Sequence, residues 1–190
     1  MALTEEGRAK RAALDARIEA RMRICKIEQQ DILGELRAEG LVFEMLNNLA
    51  LLGVSASEYK RALPILLKHL TRPYTEATLE SIARSMARKE AAPFWDDLVA
   101  IYREHHARER VGAGDSMMAI AVAVSASCPP TRLDDLIALL RDRTLPHRPL
   151  LLIPLKRRRG RNAAIAQVID ELREDPELVT EIRSWKALKG

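Results

Sequence analysis

Aromatic residues are scarce in this chain of 190 residues. Phe, Trp and Tyr together make up 4% of it, and none falls between positions 143 and 161, where basic residues are densest. Proteins that recognise bases stack them on aromatic side chains, so this shortage weighs against base recognition in that stretch. Hydrophobic residues reach 47% and charged residues 31%. That balance excludes a disordered chain and is typical of a helix-rich globular protein.

Cysteine is nearly absent as well, with Cys25 and Cys128 as the two in the sequence. Extracellular domains of this size usually carry paired cysteines, so we expect a reducing compartment and place the protein in the cytoplasm. No run approaches the roughly 18 apolar residues that a membrane span needs. Residues 1–20 carry charges throughout, which is unlike a signal peptide. The chain has 23 Arg but only 8 Lys, a ratio typical of GC-rich coding sequences, and this favours a bacterial source.

Proline is missing from the first third of the chain, because all 9 prolines lie at or after Pro64. Long helices can therefore form there. Thr4 is a candidate N-cap, and apolar residues at spacings of three and four predict one long amphipathic helix over residues 4–39. We interpret it as a helix that packs on the rest, with a coiled-coil arm as the alternative. Residues 41–52 are apolar on most sides and predict a second, buried helix, so residues 1–56 form an N-terminal helical region.

The rest of the chain is repetitive. Apolar residues recur at the first, fourth and fifth positions of four segments, namely residues 63–68, 98–103, 136–141 and 165–170. Each looks like the first helix of a pair, and signals such as Thr75, Asp115 and Asp175 predict second helices between and after them. We therefore predict an all-α chain in which residues 57–190 form about four helical hairpins, continuous with the first region as a single domain.

Two of these segments resemble a known repeat. Residues 63–67 read Leu-Pro-Ile-Leu-Leu and precede a turn at 71–73, which is similar to the first helix and turn of a HEAT repeat, and residues 175–179 resemble that repeat's turn and second helix. The resemblance implies a right-handed α-α superhelix of HEAT-like hairpins. The family's turn aspartate and following arginine are not both present, which predicts divergent repeats. Pro64 and Pro154 lie inside predicted helices, where each is expected to cause a bend.

The net charge of +4 is concentrated in one stretch, because residues 143–161 carry seven basic and no acidic side chains. We predict that this basic stretch contains the partner-binding or anion-binding residues. They are Arg143, Arg148, Lys156, Arg157, Arg158, Arg159 and Arg161. One interpretation is a solvated helix end that faces acidic residues at 170–174. The other is an edge that binds nucleic-acid phosphate or an acidic protein surface.

No group of residues favours catalysis, and we expect no catalytic residue, cofactor or metal. The His and Glu cluster at 104–109 lacks a further set of ligands, and Cys128 follows an apolar run as a small buried residue would. We predict a non-enzymatic scaffold or adaptor that binds a protein partner. The alternative is a nucleic-acid-binding protein. Residues 94–96, Phe-Trp-Asp, are similar to the tryptophan and carboxylate of HEAT-like DNA glycosylases, which would imply repair activity.

Overall fold

A computed structural model describes residues 4–46, 49, 54–107, 115–160 and 162–185. Within them the chain is helical and has no strand, which confirms the all-α prediction. The α-helices described are α1 (Glu5–Glu28), α2 (Gln30–Ala38), α3 (Ala56–Leu70), α4 (Glu76–Ser85), α5 (Trp95–Ala107), α6 (Asp115–Ser127), α7 (Leu133–Arg141), α8 (Ile153–Arg158), α9 (Ala163–Leu172) and α10 (Val179–Ser184). Short 3-10 helices lie at Lys89–Phe94, Pro130–Arg132 and Arg148–Leu152. None of the described helices combines the length and apolar character that crossing a bilayer requires.

The helices follow the predicted order of pairs. Helices α3, α5, α7 and α9 contain the four repeated apolar segments, and α4, α6, α8 and α10 follow them in turn. Second helices pack against one another, since α4 contacts α6, and α6 contacts α8 and the 3-10 helix Arg148–Leu152. The right-handed superhelix and the boundary at residue 56 stay predictions.

Helix α6 lies at the centre of this packing. It contacts α4, α5, α8 and the 3-10 helices Lys89–Phe94 and Arg148–Leu152. Ala119, Ala121 and Ala123 are fully buried, and such small side chains let neighbouring helices approach closely. A helix that is apolar on nearly every side is stable only when other elements surround it. The core built around it runs continuously from Ile32 to Ile182.

The single helix predicted over residues 4–39 is instead two helices, which meet at Gln29. Thr4 is the N-cap as predicted, because its hydroxyl oxygen accepts the Gly7 amide at 3.2 Å. Gln29 is buried, and its Oε1 accepts the Leu46 amide at 3.1 Å. A buried backbone N–H requires such a partner. The glutamine therefore holds the segment after α2 against the junction of α1 and α2.

Residues 41–46 are not helical, which corrects the prediction of a helix beginning at residue 41. The physical reason is that the Leu46 amide bonds to the Gln29 side chain instead of to a carbonyl four residues earlier. Gly40, with φ of 77°, ends α2 in the left-handed conformation that favours glycine. Leu41, Leu46 and Leu49 are nevertheless buried. Residues 47, 48 and 50–52 of the predicted helix lie outside the described residues.

The two helical prolines occupy different positions. Pro64 lies inside α3, which runs through it. Pro154 lies in the first turn of α8, because residues 148–152 form a 3-10 helix and the chain becomes α-helical only at Ile153. At a helix start the missing N–H of proline costs no helical hydrogen bond. A bend within a helix was therefore the wrong prediction for Pro154.

Helices α2 and α3 are joined by charged groups around Glu35. The Lys68 Nζ lies 2.8 Å from Glu35 Oε1, and the His69 Nε2 lies 3.2 Å from the same oxygen. His69 is fully buried, and its Nδ1 is 2.8 Å from the Tyr74 hydroxyl. Burial lowers the pKa of His69 below its usual value, and this outweighs the opposite effect of the Glu35 carboxylate.

We expect His69 to make the fold sensitive to acid. As the pH falls below about 6.5, the imidazole takes a proton in the unfolded chain before it does so in the folded one, so the free energy of unfolding decreases. Urea titrations between about pH 7.5 and 5.5 measure this decrease. The His69→Gln variant should show a smaller decrease over the same range. An identical decrease in the variant would contradict the assignment to His69.

Candidate partner-binding surfaces

Arg148, a member of the basic stretch, is buried. Its side chain is 3% exposed and donates to both carboxylate oxygens of Asp175, at 2.9 and 3.2 Å. It also donates to Glu177 at 2.6 Å and to the Leu140 carbonyl at 2.8 Å. The hydrogen bonds from Arg148 lower the pKa of Asp175. Arg148 thus ties α7 to the turn before α10, and a partner could reach it only by breaking these bonds.

Trp185 brings together two further members of the stretch. Lys156 Nζ lies 5.3 Å and the Arg159 guanidinium 5.1 Å from the centre of its ring. Lys156 Nζ also lies 3.5 Å from Glu181 Oε1, which accepts the Trp185 indole N–H at 2.8 Å. In the described part of the chain these two cations therefore lie against α10 and the residue after it.

The remaining members lie nearer the solvent. Arg143 is 71% exposed, with its Nε 3.3 Å from Asp175 Oδ2. Arg157 is exposed and makes no ion pair with the residues described, while Arg158 is half-buried and donates to the Pro154 carbonyl at 3.0 Å. Arg161 lies outside the described residues. Binding of a partner by the basic stretch stays a prediction, and Arg157 is its exposed member without an ion pair to the described residues.

A second surface, which the sequence analysis missed, lies between α1–α2 and residues 42–45. We call it the N-terminal groove. It has a volume of about 880 Å³ and is lined by Met22, Arg23, Lys26, Gln30, Leu33, Arg37, Val42, Phe43, Glu44 and Met45. The sequence could not reveal it, because residues 41–46 read as a buried helix.

The apolar stripe of α1 leads along the helix toward this groove. Leu14, Ile18 and Met22 recur every four residues and are about half exposed. Residues 8–24 are all exposed. The interpretation that this helix packs on the rest of the chain therefore does not apply to residues 8–20.

The last two turns of α1 anchor it to α4. Arg21 pairs with the buried Glu80, and Cys25 is buried at the contact. Glu28 Oε2 accepts a hydrogen bond from the Thr75 hydroxyl at 2.7 Å, and Thr75 is the N-cap residue of α4. These contacts hold the C-terminal end of α1 on α4. The N-terminal part of α1 projects from there.

The residues that the sequence analysis considered for catalysis or metal binding either contact other parts of the chain or lie outside the described residues. Burial raises the pKa of Cys128 to about 11, so its thiol is protonated at neutral pH. Trp95 is buried, with its indole N–H donating to the Val124 carbonyl at 3.0 Å, and Asp96 lies 2.5 Å from Arg132. Among the described residues no group of three or more His, Cys, Asp or Glu could hold a metal ion. Apart from Glu104, the side chains of the His and Glu cluster lie outside the description.

No protein-family model, curated protein or solved structure matches this chain. The resemblance to HEAT repeats therefore rests on the sequence pattern, and a function has to be argued from the surfaces.

Arg148 and Arg143 both contact the Asp175 carboxylate. Because Arg148 is buried and Arg143 is exposed, replacing Arg148 should destabilise the fold much more than replacing Arg143 does. Arg148→Ala removes the buried guanidinium that bonds to Asp175, Glu177 and the Leu140 carbonyl, and should lower the free energy of unfolding by about 3–5 kcal/mol. Arg143→Ala removes an exposed contact to the same Asp175 and should cost less than about 1 kcal/mol. Urea denaturation of both variants measures these losses. Similar small losses in both would show that Arg148 is not a structural tie.

Proposed function

We propose that this protein is a non-enzymatic helical scaffold, with HEAT-like stacking of its helical pairs, that binds an acidic amphipathic helix of a protein partner. The proposal places that helix in the N-terminal groove and along the apolar stripe of α1. The observation that supports it is the combination, in one groove, of exposed apolar side chains with two cations, Lys26 and Arg37, that make no ion pair in the described part of the chain.

The apolar part of the surface favours a protein over other partners. Val42 is 69% exposed and lines the groove with Met22, while Leu14 and Ile18 extend the apolar surface along α1. Soluble proteins seldom expose contiguous apolar surface unless it binds something. From residue 14 to residue 28 helix α1 spans roughly 21 Å, about the length of a 14-residue partner helix. A helix with apolar residues at spacings of three and four would bury this surface.

The charges of the groove favour an acidic partner. Arg23, Lys26 and Arg37 line it, against Glu44 as the single acidic lining residue. Lys26 and Arg37 make no ion pair with described residues. Arg23 approaches Glu19 at 3.6 Å on the exposed surface, where such pairs contribute little. The groove therefore carries a net positive charge that a row of carboxylates would neutralise.

A second copy of this chain is a poorer occupant. Residues 5–24, which would supply the second apolar stripe, carry six basic and four acidic side chains. Two such helices would bring a positive helix to a positive groove, and like charges held close together oppose association. We therefore assign the groove to a different, acidic chain.

A binding experiment with defined probes tests the proposal. One labelled peptide is composed of Glu and Leu with Leu at helical spacing, a second has the same composition in scrambled order, and a third probe is a short oligonucleotide. Fluorescence anisotropy should show that the amphipathic peptide binds at least about tenfold more tightly than the scrambled one. Equal peptide affinities would contradict an apolar contact. Tighter oligonucleotide binding with a steep salt dependence would favour the nucleic-acid alternative.

Matched variants locate the binding. Val42→Ser and Lys26→Glu should each weaken binding of the amphipathic peptide, because the first removes apolar contact and the second reverses a charge. Ile27→Ser changes an isoleucine that is 74% exposed outside the groove, and Arg183→Glu reverses an exposed cation on α10, away from both the groove and the stripe. Both controls should retain the affinity of the parent. Equal effects of groove and control variants would contradict the assignment.

A further inference from the structure

A smaller cleft, which shares no residue with the N-terminal groove, lies at the end of α6. It has a volume of about 340 Å³ and forms where the last turn of α6 meets the 3-10 helix Lys89–Phe94 and α8. Its charged lining residues are Lys89, Arg157 and Arg158, and no acidic side chain of the described residues lines it. The fold therefore joins two arginines of the basic stretch to a lysine that is distant in sequence.

The three cations are not neutralised by the residues described. Lys89 and Arg157 make no ion pair there, and Arg158 donates to the uncharged Pro154 carbonyl at 3.0 Å. By contrast, the nearby Arg141 lies 2.8 Å from the Glu171 carboxylate. The carbonyl end of α6 contributes roughly half a negative elementary charge, which is much less than three positive side chains. The cleft therefore has a positive potential that suits an anion.

A buried hydroxyl in the wall of the cleft points to the same kind of ligand. Ser125 is 3% exposed and lines the cleft, and its Oγ has no hydrogen-bond partner among the described residues. Ser127, in the same turn, instead bonds to its own helix through the Ala123 carbonyl at 2.6 Å. A buried hydroxyl without a partner is unfavourable. An anionic oxygen in the cleft would accept a hydrogen bond from the Ser125 hydroxyl.

We propose that this cleft binds the phosphoryl group of a phosphate monoester, with Lys89, Arg157 and Arg158 as its cations and Ser125 as a hydroxyl donor. At neutral pH such a group carries a charge of about −1.5 to −2 on three terminal oxygens. That suits three cations and a donor better than a carboxylate, which has one charge on two oxygens. The volume is at the lower end of ligand pockets, roughly 300–1,000 Å³, and fits a phosphorylated side chain or free phosphate but not a length of polynucleotide.

Calorimetry on the full chain tests the site, with inorganic phosphate, a phosphoserine peptide and the same peptide without phosphate as probes. Phosphate and the phosphopeptide should bind, and the unphosphorylated peptide should not. A tighter phosphopeptide identifies a phosphorylated protein segment as the source, whereas equal affinities identify the phosphoryl group alone. Arg157→Ala should weaken binding about tenfold or more, and Arg183→Ala, which changes an exposed arginine outside the cleft, should not. Absence of phosphate binding at millimolar concentrations would overturn the proposal.

Ser125→Ala separates ligand binding from packing. Alanine keeps the helix and removes a hydroxyl without a partner, so the melting temperature without phosphate should not fall, while the rise that phosphate causes should shrink. A fall in melting temperature with unchanged phosphate affinity would overturn the role of Ser125. Val42→Ser should leave phosphate binding unchanged, because Val42 does not line this cleft. The proposals for the cleft and for the N-terminal groove are therefore tested separately.

Discussion

The burial of helix α6 is the constraint on which the rest of the structure depends. Because this helix is apolar on nearly every side, it has to be surrounded, and α4, α5, α8 and two 3-10 helices pack around it. Both candidate surfaces follow from that arrangement. Helix α4, held against α6, is the element to which α1 is anchored. The last turn of α6 forms a wall of the anion cleft, where α8 places Arg157 and Arg158.

The exposed stripe of α1 is a consequence of how little of that helix is anchored. Arg21, Cys25 and Glu28 attach its last two turns to α4, and the residues before them are exposed. In proteins most of the stability of a helix comes from packing of its apolar face, so the uncovered stripe leaves the N-terminal part of α1 weakly stabilised. A partner helix along the stripe would supply that cover and would stabilise α1 as it bound. The N-terminal groove, where we propose that such a helix binds, exists because residues 41–46 follow α2 as a non-helical segment.

Local patterns in the sequence predicted the helices well and the surfaces poorly. The apolar periodicity of segments such as 63–68 and 136–141 found the first helix of each pair, because spacing along a helix reports directly which side is buried. Gln29 and Arg148 could not be interpreted in this way. Their roles depend on partners distant in the chain, the Leu46 amide for the first and Asp175 for the second. A count of charges likewise identifies a basic stretch without showing that one of its arginines is buried.

Amide hydrogen exchange in the presence and absence of the acidic amphipathic peptide tests the central claim most directly, because it reports on α1 and α6 in one experiment. In the free protein the account predicts fast exchange over residues 5–24 and slow exchange over α6. Addition of the peptide should slow exchange over residues 14–38 and leave α6 unchanged. Slow exchange over residues 5–24 in the free protein would mean that the stripe is already covered, and exchange that the peptide does not alter would mean that the groove does not bind it.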